Sequence, residues 1–215
     1  ASMRSTFSKY KAVRSGANLT GAQVAQEILR ANGIVDVQVI PVQGELTDHY
    51  DPRNKTVSLS QGIFNSTSIA AVSVAAHECG HAIQDNLGYA PLRLRSAFVP
   101  LANFGGQLAW PMIVFGIFLG YAEKLDISNI FIQIGIFMFL LAVLFQIITL
   151  PVEFDASRRA LIQLRDNAIL PSDEEKGVRK VLFAAAMTYV ASAASGVLQM
   201  LRLLILFNGR GRRRR

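Results

Sequence analysis

The spacing of apolar positions changes character several times along the chain, and each change predicts a different element. Behind Thr20-Gly21-Ala22-Gln23, Val24, Ala25, Ile28 and Leu29 recur at helical spacing. The Thr and the Gln three residues later form a capping-box pattern, in which each side chain satisfies a backbone N–H left free at the helix start. Asn32-Gly33 closes this helix. Residues 37–42 then alternate around apolar positions, and Thr56-Val57-Ser58-Leu59-Ser60 follows the turn-forming Asp51-Pro52-Arg53-Asn54-Lys55, which predicts two or three short strands. A helix capped by Ser66 or Ser68 runs to about Asn86-Leu87-Gly88, and its first half, Ile69 to Ala76, is apolar nearly all round. Such a helix is buried in protein or dips toward a bilayer. The His, Glu and Asp residues of its second half argue that it does not cross.

Two uncharged runs follow, 98–120 and 130–150. Each matches the roughly 20 apolar residues that a hydrocarbon core about 30 Å thick requires. Pro171-Ser172-Asp173-Glu174-Glu175 reads as a further helix start with a capping serine. The last apolar run, 181–207, is rich in Ala, Ser and Gly and is interrupted by Arg202. Small residues permit close helix packing in membranes. Two readings of it stay open: one crossing that completes a bundle, which is favoured, or a bend near Ser195-Gly196 that leaves each half too short to span.

Composition agrees with a chain that lives partly in lipid: 51% of its 215 residues are hydrophobic and 17% charged. The net charge of +7 comes from cations flanking apolar runs and from a terminal Arg cluster, without the Arg–aromatic interleaving of a nucleic-acid surface. No nucleic-acid partner is expected; the bilayer is. The short loop Glu123-Lys124-Leu125-Asp126 carries one Lys against two acids, whereas Arg93, Arg95, Arg158, Arg159 and Arg165 flank the opposite ends. The positive-inside tendency therefore places the histidine-bearing helix and the segment after Leu150 in the cytoplasm, in a multi-pass protein of the cell membrane. Ala1-Ser2-Met3 reads as a trimmed start, and no signal peptide is recognised after it. The lone Cys79 offers no disulfide and reads as a small core residue.

The chemistry sits at Ala75-Ala76-His77-Glu78-Cys79-Gly80-His81. Histidines four apart share one helix face one turn apart, so both imidazoles reach a single zinc ion, while Glu78 is placed to act on its water. A catalytic zinc needs a third protein ligand and an open position. Leu150-Pro151-Val152-Glu153-Phe154-Asp155-Ala156-Ser157 follows the second uncharged run, and two crossings return it to the side that holds the histidines. Pro151 suits the first turn of a new helix. Glu153 is the favoured third ligand and Asp155 its rival, which at two residues on points elsewhere; Ser157, on the face of Glu153, can orient a ligand from behind. His49, the third histidine, and Tyr189 are more remote candidates for contact with substrate or its transition state.

These residues resemble the YugP-like neutral zinc metallopeptidases, integral membrane proteins of bacteria. The resemblance is carried by Leu46-Thr47-Asp48-His49-Tyr50-Asp51-Pro52, by the histidine motif through Gln84, and by Leu150 to Arg159, and it covers nearly the whole chain from Arg4 onward. More distantly, Glu153-Phe154-Asp155-Ala156-Ser157 is similar to the Glu-Phe-x-Ala-Asp segment of the prenyl-protein and heat-shock membrane zinc proteases. That likeness implies a metal on His77, His81 and Glu153, with Ser157 standing where those relatives carry Asp. Members of the resembled family begin with an apolar span, which this chain is expected to have lost.

The expected fold is a mainly α integral membrane protein with a zincin-like catalytic helix core and a small β-hairpin or sheet. Its expected organisation is a basic segment 1–18, a zincin-like half 19–95, two membrane helices 96–150, a third-ligand segment 151–180, a small-residue span 181–207 and a basic tail 208–215. The function implied is a zinc endopeptidase with one zinc per chain, acting on protein or peptide substrates that add as a strand to the sheet edge. A membrane regulatory partner or a second copy is a candidate associate of the small-residue helix. The alternative is a noncatalytic membrane scaffold stabilised by zinc, against which the intact Glu78 argues.

Overall fold

The computed structural model of the chain describes residues 3–122 and 125–212. The expectations for Ala1-Ser2, for Glu123-Lys124 of the short loop and for the end of the basic tail, 213–215, lie outside the described residues. The elements are α1 (Met3–Lys11), α2 (Gly21–Ala31), β1 (Gln38–Val42), β2 (His49–Asp51), β3 (Thr56–Ser60), α3 (Gln61–Phe64), α4 (Ile69–Asn86), α5 (Ala90–Tyr121), α6 (Leu125–Asp166) and α7 (Glu175–Arg212). They divide into two compact units, 3–92 with 151–188 and 93–150 with 189–212.

In the first unit, the capping box of α2 is complete: Gln23 N donates to Thr20 Oγ1 at 3.2 Å and Thr20 N to Gln23 Oε1 at 2.8 Å. The apolar face that follows, Val24, Ala25 and Ile28, is fully buried, and α2 packs against α4. Glycine at 33 adopts a positive φ of 66° beyond the helix end, as a left-handed cap requires. The sheet has the order β1-β3-β2, with β2 antiparallel and β1 parallel to β3. The hairpin is thus β2–β3, and β1 closes the other side of β3. The central strand β3 is covered on both faces, Val57 and Leu59 fully and Ser58 and Ser60 nearly so, which is why it lacks a polar face. Asp48 accepts from Ser60 N at 2.7 Å. Tyr50 and Lys55 both donate to Asp85 Oδ2, at 2.8 and 2.7 Å, and so fasten the hairpin to the end of α4.

Two local expectations are corrected. Pro151 does not begin a helix; it lies inside the continuous α6. Proline removes one backbone donor from a helix interior, and long apolar helices tolerate that loss when neighbouring groups re-satisfy the freed carbonyl. The final helix starts at Glu175 rather than after Ser172. The carboxylate of Glu174 is instead held by Ser15 Oγ and Gly16 N, both donating at 2.6 Å, and 171–174 form a turn.

The second unit is helical. Within it α5 and α6 meet where glycine permits: a Cβ on Gly135 would lie 2.8 Å from the Ala109 carbonyl oxygen. Ser128 Oγ donates to Gly116 O at 2.7 Å across the same pair. Many large apolar side chains here face outward, among them Phe104, Phe118 and Ile205. Three helices, Ala90–Tyr121, Asp126–Asp166 and Glu175–Phe207, are long and apolar enough to cross a membrane. α7 passes through Ser195-Gly196 without a break. The protein is mainly α, with membrane-type helices and one small sheet.

Candidate metal centre

α4 begins at the Ser68 cap, whose Oγ accepts from Ala71 N at 3.2 Å. One turn separates His77 from His81, and their rings stand edge to face with centroids 4.8 Å apart. α6 comes in beside them on a stripe of small or buried residues, Val152, Ala156 and Ala160, all without exposed surface. At Gly80 the two backbones are close enough that a Cβ would lie 2.5 Å from the backbone oxygen of Ala156. Only glycine allows that approach.

The approach delivers Glu153 to the histidines. Its Oε2 is 3.2 Å from His77 Nε2 and its Oε1 3.7 Å from His81 Nε2. One ligand atom from each of the three residues lies within 4.8 Å of the others. Two imidazole nitrogens and one carboxylate oxygen form a donor set suited to zinc, and three protein ligands leave the coordination open, as a catalytic site requires. A purely structural zinc takes a fourth. Cys79, next in the chain, points away: it is fully buried, with Sγ donating to Ala25 O at 3.6 Å.

The ring orientations are fixed from behind. Ser157 Oγ lies 3.2 Å from His77 Nδ1. Gln84 Oε1 lies 3.0 Å from His81 Nδ1, while Gln84 Nε2 donates to Val152 O and to Asp155 Oδ2, both at 2.8 Å. Because those two partners only accept, the amide orientation is determined, and its oxygen must accept a hydrogen bond from His81 Nδ1–H. The lone pair of His81 is thereby left on Nε2, facing Glu153. Asp155 is itself held by Arg159 Nε at 2.6 Å and lies outside the trio whose ligand atoms converge. Gln84 was not singled out in the sequence; the signal was a buried polar residue three positions after His81 on the same helix face.

Glu78 is 7% exposed. Burial pushes its carboxyl up to about 7, with the nearby Glu153 carboxylate adding to the shift and His77 opposing it. The folded protein thus keeps a proton that the unfolded chain releases near pH 4.5. The associated stability is fully present below pH 4.5 and is lost as the pH rises to about 7. Metal-free Glu78→Gln protein is expected to melt higher than metal-free wild type at pH 8, by the equivalent of on the order of 3 kcal/mol, with the gap closing by pH 5. A gap of equal size at both pH values in calorimetry would mean that charge burial is not its source.

The more remote candidates are placed differently. His49 is exposed in β2, with Nδ1 2.8 Å from Thr47 O. Tyr189 belongs to the second unit, with 37% of its surface exposed.

A family model described as "Putative neutral zinc metallopeptidase" matches residues 1–208, and the chain belongs to that family. It is 44% identical over 209 residues to "Putative membrane protease YugP" of Bacillus subtilis (strain 168), covering 97% of this chain and 90% of that one. No solved structure matches it.

Proposed function

We propose that the protein is a zinc-dependent endopeptidase of the membrane, hydrolysing peptide bonds of protein substrates at the cytoplasmic interface. The observation that carries this reading is the convergence of His77, His81 and Glu153 beside a buried Glu78. His77 Nε2, His81 Nε2 and a Glu153 oxygen would hold one zinc per chain. Bound there, zinc supplies the Lewis acidity that polarises the scissile carbonyl and acidifies the attacking water. With the metal in place, the Glu78 carboxylate would take a proton from the attacking water and return it to the leaving amine nitrogen. Ser157 and Gln84 keep the two imidazoles aimed, and the burial of Glu78 away from solvent strengthens its charge interactions.

An extended substrate segment adds as a strand beside the small sheet, whose outer strands are β1 and β2. His49 on β2 is a candidate contact to that substrate. The cytoplasmic assignment rests on Arg93, Arg95, Arg158, Arg159 and Arg165, which gather at the ends of the uncharged runs.

The test is elemental analysis of purified wild type, Glu153→Ala and Asp155→Ala proteins, with cleavage of a quenched unstructured substrate read in parallel. Wild type and Asp155→Ala are expected to carry zinc near one per chain and to cleave in a chelator-sensitive manner. Glu153→Ala should lose zinc affinity by more than about 100-fold. Stoichiometric zinc without cleavage of any substrate would support a zinc-stabilised scaffold instead.

A further inference from the structure

Within the first unit, α6 and α7 enclose a cleft of about 390 Å³. Its floor is apolar and includes Phe154 and Phe183, which leave 43% and 61% of their surfaces uncovered. Its rim carries Arg158, Lys176, Arg179 and Lys180, all exposed, and among the described residues no acidic one lines it. Arg179 is shared with Glu175, to which its Nε donates at 2.6 Å. Arg158, Lys176 and Lys180 have no acidic partner among the described residues. Three uncompensated cations around exposed aromatic surface fit a ligand with one anionic end and one hydrocarbon end.

The sequence on either side identifies the environment. Arg158 follows the uncharged run 130–150 by eight residues, and Lys180 immediately precedes the apolar run 181–207. Basic residues next to membrane helices on the cytoplasmic side attract anionic headgroups, and pockets between such helices hold them. We propose that this cleft is a binding site for an anionic phospholipid, its phosphate held by Arg158, Lys176 and Lys180 and an acyl chain lying over Phe154 and Phe183. The cleft shares Ser157 with the metal centre, so the bound lipid borders the residue that steadies His77. The proposal does not rest on catalysis, and its test reads none.

The full chain, purified in a nonionic detergent, is titrated with dioctanoyl phosphatidylglycerol, and melting temperature is followed against concentration; dioctanoyl phosphatidylcholine and glycerol phosphate are run alongside. Phosphatidylglycerol is expected to raise the melting temperature in a saturable way, while the other two leave it unchanged. The triple substitution Arg158→Gln, Lys176→Gln, Lys180→Gln should weaken phosphatidylglycerol binding on the order of 100-fold, and Lys180→Gln alone roughly 5-fold. The single variant decides the matter if the triple one folds poorly. Equal stabilisation by phosphatidylcholine would overturn the proposal, as would equal stabilisation by glycerol phosphate or unchanged binding by both variants. An acidic peptide ending in Phe that displaces phosphatidylglycerol at lower concentration than the lipid's own would also overturn it, in favour of a peptide site.

Discussion

Glu78→Gln protein is expected to keep zinc near one per chain and to cleave substrate roughly 1,000-fold more slowly than wild type, since positioned acid–base groups contribute about 100- to 10,000-fold. Both halves of that result follow from position. Glu78 lies outside the trio of His77, His81 and Glu153 whose ligand atoms converge, so metal retention does not need it. Glutamine has the same length and hydrogen-bonding shape but cannot take a proton from water at neutral pH. The substitution also leaves an amide of the same size at this buried position, so packing there is conserved. Zinc content and cleavage of the quenched substrate, measured on one preparation, separate the two effects. Cleavage within tenfold of wild type would remove Glu78 from the role of base.

The second large effect is expected at a residue with no side chain. In Gly80→Ala protein the new Cβ would meet the backbone oxygen of Ala156 at 2.5 Å and its carbonyl carbon and Cα at 3.1 Å. Backbone atoms cannot rotate aside, so α6 must move off α4, and Glu153 moves with it. Overpacking of this kind costs about 1–3 kcal/mol, or a fall in melting temperature of roughly 2–12 °C for a chain of this size. Zinc affinity should fall by more than about 100-fold, because the third ligand is displaced from the other two. Gly62→Ala is the control: there a Cβ would meet only the end of the Lys11 side chain, at 3.7 Å. If Gly80→Ala binds zinc as wild type does and melts with the control, the close approach at Gly80 does not set the geometry of the cluster.

What was legible in the sequence was local. The capping box at Thr20, the start of α4 at Ser68 and the i, i+4 pair His77 and His81 each depend on residues within one or two turns, and the uncharged runs announce long helices by length alone. What was not legible depends on chain that arrives from far away. The parallel pairing of β1 with β3 is one case. Ser172 carries good capping chemistry, yet α7 starts later because Glu174 is engaged by Ser15 and Gly16. Pro151 follows a local preference for first turns, but the apolar helix before it simply continues. Gln84 acquires its role only when Val152 and Asp155 fix its amide. Glu153 and Asp155 are distinguished in the same way: one faces the imidazoles, the other meets Gln84 and Arg159.

The first unit is built from two separated pieces of chain, with His77 and His81 in the earlier and Glu153 in the later. Roughly 70 residues, including both uncharged runs, lie between His81 and Glu153. At about 5–20 residues per second, a ribosome takes on the order of 4–14 s to make them. During that interval the nascent protein holds two imidazoles and Glu78 but lacks the carboxylate that completes the trio. The trio of His77, His81 and Glu153 can therefore come together only after both uncharged runs have been made.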